Sequence, residues 1–295
     1  MRFTVKTICH DKGYGLEKRN IPMYAVSKRS ANLLERPFLK MGARVKFGSP
    51  EFRPWTRVVN PFALDVRHDR EGEYFLVSKF DDVSVEVLEV QPRDRHLVLL
   101  ARVPESSGKV TKSRFLLGHD ERHWFVAAIP EQSPVSTVAA AKQALKPTQV
   151  LLEEQRVRGK LRHRRINKVR VRQGEWFFVP KELAHVEPVL IHKNEPLRRG
   201  GGKPHVCQEL YRKAGVLVYV NRLHPNGLTQ TEFARLSEKE RNKPGWNRMV
   251  RDAHVFVRGT VRHPDHKTIF LDGWHEVFMN TETQAAAMRN VAFLD

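Results

Sequence analysis

The sequence predicts an α+β fold, β-rich, with mainly antiparallel strands, a few short helices and two lobes. Three observations predict it. Apolar runs of strand length recur along the chain, helix signals are few and short, and the pattern breaks near residues 146–158.

The strand signals come in order. Residues 83–90 alternate Val83, Val85 and Val87 with Ser84 and Glu86, as a half-buried strand does. Residues 97–103 (LVLLARV) form a continuous apolar run of strand length, and QPRDRH between the two segments suits a hairpin turn. WFVAAI at 124–129 is a further strand, entered through the polar turn HDERHW at 119–124. Ser133 and Pro134 open an Ala-rich helix over about 134–145, which Pro147 stops. WFFV (176–179), VEPVLI (186–191) and VLVYV (216–220) read as strands. A second helix spans about 229–241, with Thr229 and Glu232 at capping-box spacing and Pro244-Gly245 ending it. These elements divide into an N-terminal β-rich domain over 1–150 and a basic α+β domain over 151–295.

Composition narrows the function. At 295 residues and 40% hydrophobic, the chain can bury a core, roughly three quarters of its unfolded surface. Two cysteines, Cys9 and Cys207, without CxxC spacing, argue against a disulfide scaffold or a cysteine zinc site and fit a reducing compartment. No apolar stretch is long enough for a signal peptide or a membrane span, so the expectation is a soluble, cytoplasmic protein without a membrane partner. Lys and Arg number 52 against 33 Asp and Glu, a formal charge of +19. An excess of that size points to a polyanionic partner, nucleic acid first, while protein partners stay open.

The excess peaks at Arg156–Arg172, where nine of 17 residues are Lys or Arg and none is acidic. Arg156, Arg158, Lys160, Arg162, Arg164, Lys168, Arg170 and Arg172 take even positions, while Val157, Leu161, Val169 and Val171 take odd ones. Side chains alternate across a strand, so the spacing predicts a basic β-ribbon with one cationic face and an aliphatic one. Arg198, Arg199 and Lys203 flank a glycine run that lacks the spacing of a nucleotide-binding loop.

Near the C-terminus, His263-Pro264-Asp265-His266 predicts a tight turn between two strands. Pairing outward from it places Arg262 opposite Lys267 and His254 opposite His275. One face then carries His254, Arg258, Thr260, Arg262, Lys267 and His275, and the core side carries Val255, Val257, Val261, Phe270 and Trp274. The function this supports is nucleic-acid binding, RNA slightly ahead of DNA, with the ribbon, Arg198, Arg199, Lys203, Arg258, Arg262 and Lys267 as contacts. Trp176, Phe177 and Trp274 are candidates for base stacking.

The alternative is a nuclease or phosphodiesterase with a histidine site within 254–275, drawn from His254, His263, His266 and His275. Whether the chain is an enzyme stays open. A metal site from His263, Asp265 and His266 needs a distant third ligand, and no cofactor or metal is expected. Cys9-His10-Asp11 is weak support for a nucleophile beside a base, because adjacent side chains on a strand point to opposite faces. There is no GxSxG, HExxH, Walker or GxGxxG motif.

Overall fold

The structure, a computed structural model, describes residues 4–6, 28–50, 61–199 and 202–284. It is strand-rich and almost wholly antiparallel, with short helices, as the sequence predicts. The described chain separates into two compact units, residues 146–280 forming one and the stretches on either side forming the other.

In the flanking unit, β1 (Thr4–Lys6), α1 (Lys28–Lys40), β2 (Val45–Gly48), β3 (Phe62–Asp69) and β4 (Gly72–Lys79) precede a meander. The meander runs β5 (Ser84–Gln91), β6 (His96–Pro104), β7 (Val110–Asp120) and β8 (His123–Ile129). The strands make two four-stranded sheets, ordered β1-β3-β4-β2 and β5-β6-β7-β8, with β2 and β4 parallel. The predicted hairpin between β5 and β6 forms, and HDERHW is the β7–β8 turn, with Asp120 paired to His123.

The apolar run in β6 follows from burial on both faces. Leu97, Leu99 and Ala101 join Phe62, Phe75 and Phe115 in the main core. Val98 packs on the other side against Val138 and Ala141 of α2 (Val138–Ala144). That helix starts later than the sequence suggests: Thr137, not Ser133, is its N-cap and accepts from the Ala140 N–H at 3.2 Å. The chain returns to this unit after residue 280. The Thr281 N–H donates to the Leu145 carbonyl at 3.1 Å, its Oγ1 donates to Ala144 at 2.7 Å, and the Glu282 carboxylate accepts from Ala128 N–H at 3.4 Å.

The unit from 146 to 280 begins with α3 (Thr148–Glu154), a 3₁₀ turn (Gly159–His163), β9 (Ile166–Asn167), β10 (Arg170–Gln173) and β11 (Trp176–Pro180). There follow β12 (His192–Leu197), β13 (His205–Lys213), β14 (Val216–Val220), β15 (Leu228–Thr229), α4 (Gln230–Ala234), α5 (Glu238–Arg241) and β16 (Asn247–Arg251). The long hairpin β17 (His254–His263) and β18 (His266–Met279) closes it. A seven-stranded sheet runs β12-β13-β17-β18-β11-β10-β9, and β15-β14-β16 form a smaller one.

Two expectations change here. The strand expected at 186–191 is an exposed 3₁₀ turn at Pro188–Leu190, because Val189 and Leu190 have no sheet to pack against (Val189 is 87% exposed). The helix expected over 229–241 is two short ones, because Ser237 and Glu240 form a second capping box after that of Thr229 and Glu232. Among the described residues no helix is long and apolar enough to cross a membrane.

Candidate functional site

The basic segment is not the continuous ribbon its alternation predicts. Only 170–173 join the sheet as a strand beyond the two-residue β9, and Gly159–His163 wind into a 3₁₀ turn. The cause is an acid outside the run. Glu154, 1% exposed at the end of α3, accepts from Arg170 Nε at 2.7 Å and Lys146 Nζ at 2.5 Å. The same two cations donate to the Arg162 carbonyl, each at 2.8 Å, which pulls the chain between them into a loop. Arg170 is therefore buried, correcting its place on an open cationic face.

Arg162 Nε donates to the Val157 carbonyl at 2.8 Å, and Arg172 Nε donates to Gly174 at 2.8 Å. Arg156, Arg158, Lys160, Arg164 and Lys168 are exposed. Trp176 and Phe177 lie in the core and offer no open ring for stacking. Arg198 is exposed, Arg199 half-buried, and Lys203 Nζ reaches the Asp265 carboxylate at 2.7 Å. Gly200-Gly201 and Cys9-His10-Asp11 lie outside the described residues. Cys207 is buried, which pushes its thiol up to about 12, so it is not a nucleophile at neutral pH.

The HPDH turn forms, with His263 paired to His266. Two irregularities then shift the register, so Val261 faces Ile269 and Val257 faces His275 rather than His254 facing His275. A one-residue slip exchanges the two faces of a strand. Phe270 is consequently 70% exposed and Leu271 takes its place in the core, while His275 turns inward and is buried.

The outer face of β17 and β18 thus carries Arg258, Thr260 and Arg262 beside Phe270 and Trp274, with Lys267 exposed near the turn. The Arg258 guanidinium lies 4.6 Å from the centre of the Trp274 ring and pairs with Glu209 of β13. Tyr211 of β13 lies 6.4 Å from Trp274 and 5.9 Å from Phe256. Arg262 reaches Asn194 Oδ1 at 3.2 Å. Arg258, Glu209, Phe270 and Gly273 line a shallow depression on this face.

The histidines separate into two groups. His254 Nδ1 sits 2.7 Å from the Glu276 carboxylate, and His275 Nδ1 lies 3.1 Å from the Gly273 carbonyl. His263 and His266 instead converge with His205 from the start of β13. Ring centres are 4.2 Å apart for His205 and His263, 4.7 Å for His263 and His266, and 5.6 Å for His205 and His266.

One nitrogen from each of the three rings lies within 4.8 Å of the other two. His205 is 1% exposed, and neither of its ring nitrogens has a hydrogen-bond partner. Leaving a buried polar atom unpaired costs about 1–3 kcal/mol. Burial, with repulsion from His263 and His266, pushes its pKa down to about 2, so the ring is neutral. His205 thus adds a third imidazole, distant in sequence, to the two of the HPDH turn. Sequence offered little to find it, since its neighbourhood arises from the pairing of β13 with β17.

No protein-family model, curated protein or solved structure matches the chain.

Proposed function

We propose that the protein binds nucleic acid, RNA ahead of DNA, through the outer face of β13, β17 and β18. The observation that carries the reading is Arg258 stacked on Trp274 beside the exposed Phe270 and Arg262. An open sheet face that mixes aromatic rings with guanidinium groups can stack unpaired bases and hold their phosphates. Arg156, Arg158, Lys160, Arg164 and Lys168, with the formal +19, add attraction that does not depend on sequence.

The test is fluorescence anisotropy with labelled single-stranded RNA, duplex RNA and duplex DNA over a salt series. Phe270→Ala is expected to cost on the order of 1–3 kcal/mol of single-strand affinity, the worth of one stacked base. Arg262→Gln is expected to lower the salt slope by about one. Arg170 and Arg172 are left unchanged in this test, since Arg170 is part of the core. Absence of binding to all three nucleic acids at about 50 mM salt overturns the reading.

A hydrolytic reading has one observation in its favour, the convergence of His263 and His266 on His205. Shortened product on a gel of the same samples, lost in His266→Gln with affinity retained, would establish it in place of simple binding.

A further inference from the structure

We propose that His205, His263 and His266 bind one divalent transition-metal ion, zinc ahead of the others. The proposal does not rest on the nucleic-acid reading. Three imidazoles favour zinc, copper, nickel and related ions over magnesium or calcium, which prefer oxygen ligands. At a Zn–N length of about 2.05 Å, tetrahedral ligand nitrogens stand about 3.4 Å apart. The three here lie within 4.8 Å of one another. The ring planes now stand 23–31° apart, so loading requires the rings to turn about their side-chain bonds until the three nitrogens face one point.

A second observation points to a ligand at the same place. His205 presents two buried ring nitrogens with no hydrogen-bond partner. Buried polar atoms are nearly always satisfied, and an ion or a water accounts for the exceptions at functional sites. Beside it, Trp176 Nε1 is likewise buried and unpartnered, its ring 6.3 Å away and edge-on.

The backbone also keeps the space open. Gly174, at φ +59 in the β10–β11 turn, lies so close that a Cβ there would stand 2.8 Å from His266 Nε2 and 3.6 Å from His205 Nε2. Both nitrogens therefore border the same small volume beside a residue without a side chain. Cys207, two residues beyond His205, hydrogen-bonds back to the His205 carbonyl at 3.8 Å and is not part of the donor set.

His263 adjusts on loading. Its Nδ1 accepts from the Asp265 N–H at 3.1 Å, and its Nε2 sits 3.3 Å from the Lys203 carbonyl. A metal takes the lone pair of Nδ1 in place of the Asp265 N–H, and the Nε2–H donated to the Lys203 carbonyl then orients the ring, as outer partners of metal-bound imidazoles do. Three protein ligands leave a fourth position for water or a small ligand.

The experiment uses the full chain, stripped of metal by chelation and then titrated with Co²⁺ and Zn²⁺. One equivalent of Co²⁺ is expected to give the visible absorption of a tetrahedral nitrogen site, and Zn²⁺ is expected to bleach it. Affinity in His266→Gln is expected to fall by more than about tenfold, while the metal-free variant melts as the metal-free parent does. His185→Gln, at an exposed histidine, serves as the control and keeps the site. NMR of the unsubstituted protein gives an independent readout, with zinc shifting the ring signals of these three histidines and the Asp265 amide. No cobalt uptake at micromolar concentration, unchanged affinity in His266→Gln, or zinc shifts confined to other histidines overturns the proposal.

Discussion

Replacing Glu154 with glutamine removes the charge that Lys146 and Arg170 share inside the unit of residues 146–280. All three side chains are at most 4% exposed, and the contacts are 2.5 and 2.7 Å. A buried pair that loses one partner leaves an uncompensated charge, which costs about 3–5 kcal/mol. Glutamine keeps one acceptor oxygen, so about 3 kcal/mol is the expected loss for Glu154→Gln. With a urea m-value of about 2 kcal/mol/M, the midpoint falls by about 1.5 M.

The sign with pH is a second readout. Burial already lowers the Lys146 pKa from 10.5, and Glu154 opposes that. Without the carboxylate, the folded state releases the Lys146 proton more readily than the unfolded chain. The unfolded chain then binds more protons, so the variant's deficit shrinks as pH rises toward 10.5. Arg156→Gln is the control, its side chain 79% exposed and 3.5 Å from Glu153, with an expected change of about 0–1 kcal/mol. A Glu154→Gln loss below about 1 kcal/mol, or one that grows with pH, refutes the argument.

Two further outcomes follow from the same unit. His205 stays neutral when folded down to about pH 2, through burial and the nearby imidazoles of His263 and His266, but takes a proton near 6.5 when unfolded. The unfolded state therefore binds more protons in that window, and metal-free protein loses up to about 1.4 kcal/mol per pH unit as pH falls below 6.5. The difference in denaturation free energy between parent and His205→Gln over pH 6.5 to 5 checks this, and a flat difference sinks it. Gly215 sits at φ +100 between β13 and β14, where a Cβ would meet the Arg251 carbonyl at 3.1 Å and the Ala253 Cα at 3.2 Å. Gly215→Ala is expected to cost about 1–3 kcal/mol, seen as a lower thermal midpoint, and an unchanged midpoint contradicts it.

What the sequence reveals and what it hides divide along the range of the interactions. The β5–β6 hairpin, the capping box at Thr229 and the HPDH turn depend on neighbours within a few residues, and all three form as their spacing implies. The basic segment misleads because its alternation satisfies a strand locally, while Glu154 and Lys146 decide the conformation from outside it. Phe270 is placed on the wrong side because the irregularity between Val261 and His263 has no mark in the residues, whereas Gly259 and Gly273, both at positive φ, mark the other one. His205 is hidden for a related reason. A lone histidine at the start of a strand has no signature, and its neighbours come from sheet order rather than from chain order.

The return of the chain at Thr281 makes residues 146–280 an insertion within another folding unit. During synthesis, the flanking unit cannot gain its Glu282 acceptor for the Ala128 N–H until the whole insert has left the ribosome. Its last stretch is thus assembled after the unit that interrupts it. Because Leu145 and Thr281 are joined by a hydrogen bond, the two ends of the insert leave its host side by side. That proximity suits excision of the insert, with a short linker joining Leu145 to Thr281 and leaving the flanking unit as one continuous chain.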